Sequence, residues 1–296
     1  MRQHDHGRGR MSSVQRILCL VLLIFSSISR AGIVAIEKPY YPTDFYQGLD
    51  TGLRDSALMN KLFEILSKSH VPGNGHDTVK EKCEPMDRDC YQQQVLGYSR
   101  ARTIMFGEIH LVSTPDGYGV LDVYCEQLAT NKDFKKSPPG PGQIPDPAVL
   151  NTEHTWPQSR FTTAFNTEMQ KSDLNILYPV KSNANSSRSN LKFGDVTDVT
   201  SQPCTASKRG HMASGRDSYF EVPPAHKGNA ARSVFYYSVR YKTPITPDEE
   251  ASLRAWHRAD PPDAFEQERN ELVYKHQRER NPFIDHPELV DLIKDF

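Results

Sequence analysis

The sequence predicts an α+β protein, rich in helix and irregular in its loops, that folds as a single domain. Apolar residues recur at three- and four-residue spacings in several segments, which is typical of amphipathic helices. One central segment mixes β-branched and aromatic residues, as strands do. The 21 prolines among 296 residues indicate many loops, and no clear linker divides the chain after its N-terminal segment. The formal net charge of −1 identifies no partner, because a near-neutral chain can still carry a local basic patch.

The N-terminal segment is typical of a secretory signal peptide. Four arginines precede a short apolar run, Ile17–Ile28, and the small residues Ser29 and Ala31 suit positions −3 and −1 of a cleavage site. We therefore predict a signal peptide at 1–31 and a mature domain at 32–296, in a secreted or periplasmic protein with no membrane segment in its mature form. An uncleaved anchor is the alternative, which the shortness of the apolar run disfavours.

Three elements are predicted in the first half of the mature chain. The first is an amphipathic helix that ends before Pro72 and Gly73 and whose apolar residues are Leu53, Leu58, Leu62, Ile65 and Leu66. The second is a strand over Tyr118–Cys125. The third is a loop over Ser137–Pro147, which contains too many prolines and glycines for regular structure.

The C-terminal part is predicted to be mainly helical. Ala230–Tyr241 has the composition of a mostly buried helix. A further helix should begin at Thr246, with threonine as the N-cap, proline at the first position and Glu249 at the third. The tail from Asp248 to Phe296 is expected to be helical, with breaks at Pro261-Pro262, Pro282 and Pro287.

The cysteines agree with export. Cys19 would leave with the signal peptide, and an even number remains, as Cys83, Cys90, Cys125 and Cys204. No CxxC pair is present, which disfavours a zinc knuckle or a thioredoxin-like motif. Four cysteines allow three disulfide connectivities, and the sequence does not choose among them. Closeness in sequence favours Cys83 with Cys90, which leaves Cys125 with Cys204.

The segment "LNTEHTWPQSRF", Leu150–Phe161, carries the candidate chemistry. Glu153 is a hard oxygen ligand for Mg²⁺ or Ca²⁺, and His154 can accept a proton from water near neutral pH. Adjacent residues of an extended segment point to opposite faces, so the two could flank a metal-bound phosphate. Downstream, "NANSSRSN" (Asn183–Asn190) offers amide oxygens for the ion and Arg188 for phosphate oxygens.

Four segments together resemble the bacterial endonuclease I family of secreted and periplasmic nucleases. They are "NTEHTWPQSRF", "SDLNILYPVKSNANSSRSNLKFGDV", "HKGNAARSVFYYSVRY" and "ERNPFIDHPE", and the likeness runs from about Tyr98 to Glu288. The resemblance implies a ββα-metal (His-metal finger) active site within an irregular α+β domain. It also implies hydrolysis of DNA, and often of RNA, with little sequence preference and with 5′-phosphate products. No obligate protein partner is implied.

The resemblance assigns roles to individual residues. Glu153 matches the metal-binding glutamate, His154 the general base, and Asn185 the asparagine that completes the protein's share of metal ligation. The implied cofactor is a divalent cation, Mg²⁺ first, with Mn²⁺ or Ca²⁺ as substitutes. Arg188 and Arg232 match arginines of the family's motifs and are candidates for phosphate binding. Arg160 is a further candidate, together with a basic group downstream, which comprises Lys208, Arg209 and Arg216.

Two departures from the family pattern leave alternatives open. Asn175 stands where the family has a histidine, and Lys171 stands where some members have an acidic residue that orients the general base. Another acceptor, such as a backbone carbonyl, would then have to fix the tautomer of His154. The alternatives are a catalytically impaired nucleic-acid-binding relative and a different secreted metallo-phosphodiesterase. Arg232 has its own alternative role, that of a buried ion-pair partner.

Overall fold

The first described elements are two helices whose apolar sides face the core. The computed structural model describes residues 37–213 and 215–296, so the predicted signal peptide lies outside the described residues. The helices are α1 (Thr43–Asp50) and α2 (Asp55–Ser67). Helix α2 confirms the first predicted helix over Leu58, Leu62, Ile65 and Leu66, which it buries, but it begins at Asp55, so Leu53 lies before it. A short antiparallel pair, β1 (Ser69–Val71) and β2 (Thr78–Lys80), and helix α3 (Tyr98–Ile104) follow.

A three-stranded antiparallel sheet comes next. Its strands are β3 (Leu111–Thr114), β4 (Gly117–Asp122) and β5 (Gln127–Thr130). The predicted strand ends at Asp122 rather than at Cys125, because the Asp122 side chain accepts a hydrogen bond from Tyr124 N, 3.0 Å away, and closes a turn. The predicted loop at Ser137–Pro147 is confirmed and contains no helix or strand.

The centre of the molecule is an antiparallel pair of strands with a helix directly after it. The strands are β6 (Leu150–His154) and β7 (Leu177–Lys181), with helix α4 (Thr167–Lys171) between them. In the register of this pair, Glu153 lies opposite Tyr178. Helix α5 (Ser182–Arg188) begins at the residue after β7 and buries Ala184 and Arg188. The end of β6 and the face of α5 are thereby brought side by side.

A second sheet of four strands follows α5. Its strands are β8 (Lys192–Phe193), β9 (Asp198–Ser201), β10 (Lys208–His211) and β11 (Ser218–Glu221), in the order β8-β11-β10-β9. The β8–β11 pair is parallel and the others are antiparallel. With the helices, these small sheets confirm the predicted α+β class.

Four helices complete the chain, and prolines begin three of them. They are α6 (Pro224–Tyr241), α7 (Pro247–Ala259), α8 (Ala264–Gln277) and α9 (Pro282–Asp285). Helix α6 is buried along most of its length, as predicted. Helix α7 starts as predicted, with Thr246 at the N-cap position and Pro247 first, but the Thr246 side chain makes no capping hydrogen bond, and the Glu249 carboxylate bonds Phe193 N and Arg160. Tertiary partners thus hold the Glu249 carboxylate.

The two predicted disulfides are confirmed, between Cys83 and Cys90 and between Cys125 and Cys204. The second joins the turn after β4 to the segment between β9 and β10. Within the described ranges, no helix has both the length and the apolar character needed to cross a membrane.

Candidate active site

A cavity of about 390 Å³ opens where the end of β6 meets α5. Its wall comprises Thr152, Glu153, His154, Pro157, Gln158, Ser159, Asn185, Arg188, Ser189 and Asn190. The structure thus brings together the three residues to which sequence analysis gave catalytic roles, Glu153, His154 and Asn185. Arg188 also reaches this wall.

Glu153 is a buried carboxylate with one engaged oxygen. Its Oε1 accepts a hydrogen bond from the Tyr124 hydroxyl at 2.8 Å and lies 2.9 Å from Arg188 Nη1. Burial raises the pKa of Glu153, whereas the Arg188 charge and the Tyr124 hydrogen bond lower it. Among the described residues, the other carboxylate oxygen has no hydrogen-bond donor. That oxygen is therefore available to a ligand in the cavity.

Asn185 presents a second oxygen donor. Its Nδ2 lies 3.3 Å from the Thr152 carbonyl, and since a carbonyl only accepts, this contact fixes which side of the amide carries the nitrogen. A carboxylate and an amide oxygen are the ligand types that Mg²⁺ takes, with waters completing its shell. No cluster of three or more His, Cys, Asp or Glu side chains suited to a metal occurs in 37–213 and 215–296. The donor set at this cavity fits a hydrated hard cation rather than zinc.

His154 is held in one tautomer by the backbone. Its Nε2 lies 3.0 Å from the Lys171 carbonyl oxygen and must donate to it, so Nδ1 carries the lone pair of the neutral ring. Gln158 Nε2 lies 3.4 Å from Nδ1, at the cavity wall. Burial lowers the pKa of His154 to about 4. The ring is therefore neutral at neutral pH, and the backbone acceptor expected from the sequence is the carbonyl of Lys171.

Arg188 and Arg160 lie near the cavity but are already bonded to protein groups. Arg188 is buried and donates to the carbonyls of His154 and Thr155 as well as pairing with Glu153. Arg160 is partly exposed, pairs with Glu249 at 3.0 Å, and stacks its guanidinium over Trp156 at 4.2 Å. Arg188 supports the strand end, while Arg160 keeps part of its guanidinium toward solvent.

Arg232 and Asn175 do not line this cavity. Arg232 is fully buried in α6, pairs with both carboxylate oxygens of Glu266, and donates to the Asp260 carbonyl. This geometry corrects the phosphate-binding prediction for Arg232 and favours its alternative, a buried ion-pair partner. Asn175 is also fully buried, with its backbone oxygen accepting from Ser233. Its side-chain amide has no partner among the described residues.

Two side chains at this site were not predicted from the sequence, Tyr124 and Gln158. Tyr124 precedes Cys125, and the bond from Ser207 Oγ to its carbonyl helps to hold it beneath Glu153. The predicted disulfide between Cys125 and Cys204, which are 79 positions apart, was the sequence signal that this turn contacts a distant part of the chain. Gln158 begins a one-turn 3-10 helix (Gln158–Arg160) after Pro157, and the sequence did not indicate that this turn brings Gln158 to His154.

The chain is similar to one family model and to several extracellular nucleases. Residues 87–288 match the family model described as Endonuclease I. An extracellular ribonuclease of Bacillus subtilis (strain 168) is 34% identical over 187 residues, which is 56% of this chain and 60% of that protein. The same figures hold for an extracellular ribonuclease of Bacillus amyloliquefaciens. An extracellular deoxyribonuclease of Aeromonas hydrophila is 28% identical over 114 residues, which is 38% of this chain and 48% of that protein. The matches thus span between about half and three fifths of these relatives' lengths.

Proposed function

The chain belongs to the endonuclease I family, and from this premise we propose that it is a secreted or periplasmic, metal-dependent endonuclease of DNA and RNA. The observation that carries the proposal is the meeting of Glu153, His154 and Asn185 at one cavity. The proposal includes a signal peptide at 1–31 and a nuclease domain at 32–296. The relatives' names, ribonuclease and deoxyribonuclease, support both substrates.

The local chain order supports a ββα-metal site. Strands β6 and β7 pair antiparallel, and α5 follows with Asn185 on it. Glu153 and Asn185 would hold the ion, Mg²⁺ with Mn²⁺ or Ca²⁺ as substitutes. When bound, such an ion neutralises charge on the phosphate and stabilises the departing 3′ oxygen.

His154 is the proposed general base. Its Nε2 is held by the Lys171 carbonyl, so Nδ1 is the atom that takes a proton from the attacking water. Water oxygen bonds to phosphorus, the bond from phosphorus to the 3′ oxygen breaks, and the products carry a 5′-phosphate and a 3′-hydroxyl. The lowered pKa keeps Nδ1 unprotonated at neutral pH.

Three supporting residues position this chemistry. Tyr124 and Arg188 hold the same oxygen of Glu153 and so orient the other toward the ligand. Arg188 adds a positive charge at the cavity wall. Arg160, partly exposed beside the cavity, remains a proposed phosphate contact.

A plasmid-nicking assay on the purified protein, with Mg²⁺ and with chelator, tests the proposal. We expect cutting that requires Mg²⁺, is lost in His154→Ala, and persists in His211→Ala, a histidine on β10 that does not line the cavity. Binding without cutting would establish the impaired relative instead. Hydrolysis of a small phosphodiester but not of plasmid or RNA would establish the other metallo-phosphodiesterase.

A further inference from the structure

An aromatic ring with two cations lies beside the candidate active site. The Tyr98 ring is tilted against His154, with ring centroids 5.5 Å apart. Arg102, one turn later on α3, places its guanidinium carbon 5.5 Å from the Tyr98 centroid. Lys171, the last residue of α4, places Nζ 4.6 Å from the same centroid. These residues, Tyr98, Arg102 and Lys171, are called the Tyr98 cluster below.

Both residues contact the cavity wall, Arg102 through its side chain and Lys171 through its backbone carbonyl. Arg102 Nε donates to Thr152 Oγ1 at 3.2 Å, and Thr152 lines the cavity. The Lys171 carbonyl receives the Nε2 proton of His154, so its side chain starts at the residue that orients the base. Each cationic side chain therefore belongs to a residue that contacts a cavity-lining residue, Thr152 or His154.

Neither cation of the Tyr98 cluster forms an ion pair in the described part of the chain. Glu168, three residues before Lys171 on α4, accepts a hydrogen bond from Tyr98 N at 2.5 Å. Both cationic side chains are partly exposed. They are therefore accessible to an anion and carry charge that no carboxylate neutralises by direct contact.

Most of the basic residues that the sequence offered for phosphate binding differ from the Tyr98 cluster, because they form ion pairs. Four of them pair with carboxylates, as Arg160 with Glu249, Arg188 with Glu153, Lys208 with Glu221 and Arg232 with Glu266. Binding to a phosphate is driven by release of the counterions that the phosphate holds, and a cation already neutralised contributes little to that release. Electrostatic binding should therefore depend more on the Tyr98 cluster than on these four residues.

We infer that Arg102 and Lys171 form a phosphate subsite for the nucleic-acid backbone next to the cleaved phosphodiester, an inference that rests on the proposed function. Arg102 offers a planar fork of N–H donors and Lys171 a point charge, which are the two usual forms of phosphate recognition. Tyr98 spaces them by cation–π contact and packs on His154. The subsite reads no base, which agrees with cleavage at many sequences.

The test is the salt dependence of binding, measured in the non-cleaving His154→Ala protein with Mg²⁺ present. Fluorescence anisotropy would follow a short DNA duplex and a single-stranded RNA from 50 to 200 mM salt. The test variant adds Arg102→Gln and Lys171→Gln, which keep the Lys171 carbonyl. The matched control adds Arg88→Gln and Lys294→Gln, two exposed cations away from the cavity wall. A third protein, with Arg102→Lys and Lys171→Arg, keeps both charges.

We expect the slope of log affinity against log salt to shrink by about 1.8 on duplex DNA and about 1.4 on RNA in the test variant. Over that salt range, the fall in affinity on DNA then becomes roughly ten-fold smaller. The control and the charge-keeping protein should retain the parent slope. If the test variant has the same slope as the control, the subsite is refuted. This holds even if the same two substitutions lower turnover in a protein that keeps His154, because a purely structural role changes turnover without changing the slope. A wild-type protein that neither binds nor cuts nucleic acid would instead refute the proposed function.

Discussion

Replacing Arg188 with methionine should destabilise the metal-free protein strongly and in a pH-dependent way. Arg188 is buried, and its guanidinium is the cation that faces the buried Glu153 carboxylate at 2.9 Å. Removing one partner of such a pair leaves an uncompensated charge, which costs about 3–5 kcal/mol. The carbonyls of His154 and Thr155 also lose a donor, at about 1–3 kcal/mol for each group left unsatisfied. We expect a loss of at least about 4 kcal/mol in the free energy of unfolding at pH 8.

The pH dependence follows from the protonation of Glu153. Burial already raises its pKa, and loss of the Arg188 charge removes the largest opposing effect. A group whose pKa is raised in the folded state favours folding at low pH, and that contribution is lost as pH rises through the folded-state pKa. The penalty in Arg188→Met should therefore be smaller at pH 5 than at pH 8. At pH 8, the double variant Glu153→Gln, Arg188→Met should recover most of the unfolding free energy lost through the unpaired Glu153 charge. It should not recover the free energy lost at the unsatisfied carbonyls.

Urea unfolding of the chelator-treated protein at both pH values measures these effects. Arg258→Met is the control, because the Arg258–Asp291 pair is exposed and should contribute less than about 1 kcal/mol. A loss in Arg188→Met that matches this control, or that is equal at pH 5 and pH 8, would refute the account of Glu153 as a buried carboxylate held by Arg188.

Three further predictions concern activity. His154→Ala should lower turnover by about 10²–10⁴-fold while metal and nucleic acid still bind, which single-turnover cleavage and calorimetry would check; near-normal cutting would exclude His154 as the base. Glu153→Ala or Asn185→Ala should weaken metal binding itself, so that nicking is partly recovered at high Mg²⁺; a defect that no metal concentration relieves would count against both as ligands. Because burial lowers the pKa of His154 to about 4, kcat/KM should fall as pH decreases through about 4 rather than through the usual value near 6.5. An acid limb centred near 6.5 would show that the base is solvated during catalysis.

The sequence predicted the residues that meet at the cavity better than the contacts that hold them. Glu153 and His154 are adjacent in the chain, and Asn185 lies in a matched motif, so local order was enough to group them. The partners of these residues come from distant segments. Tyr124 reaches Glu153 across 29 positions, and Lys171 offers a backbone atom that no side-chain pattern can reveal.

The sequence likewise did not predict the partners of the arginines. Pattern and resemblance showed that Arg188 and Arg232 are notable, but whether a guanidinium meets phosphate or protein depends on burial and on nearby carboxylates. Glu266, which neutralises Arg232, lies 34 positions away on another helix. Glu249 was predicted only as the third residue of a helix start, and its carboxylate bonds Phe193 N and Arg160. Arg232 and Glu249 thus both bond to residues that are distant in the chain, and the sequence pattern does not show those contacts.

The pairing of Glu153 with Arg188 should affect the stability of the fold before the proposed metal ion binds. A carboxylate that is 2% exposed and has no nearby cation would either protonate or destabilise the fold. Arg188 pairs with one oxygen of Glu153, leaves the other free, and lowers the pKa of Glu153 against the effect of burial. Many small metal-binding domains fold only with their ion, because binding of the ion supplies much of their folding free energy. Because this domain has a large buried core and an arginine beside Glu153, we expect it to fold without the proposed ion, so chelation should abolish cleavage without unfolding the chain.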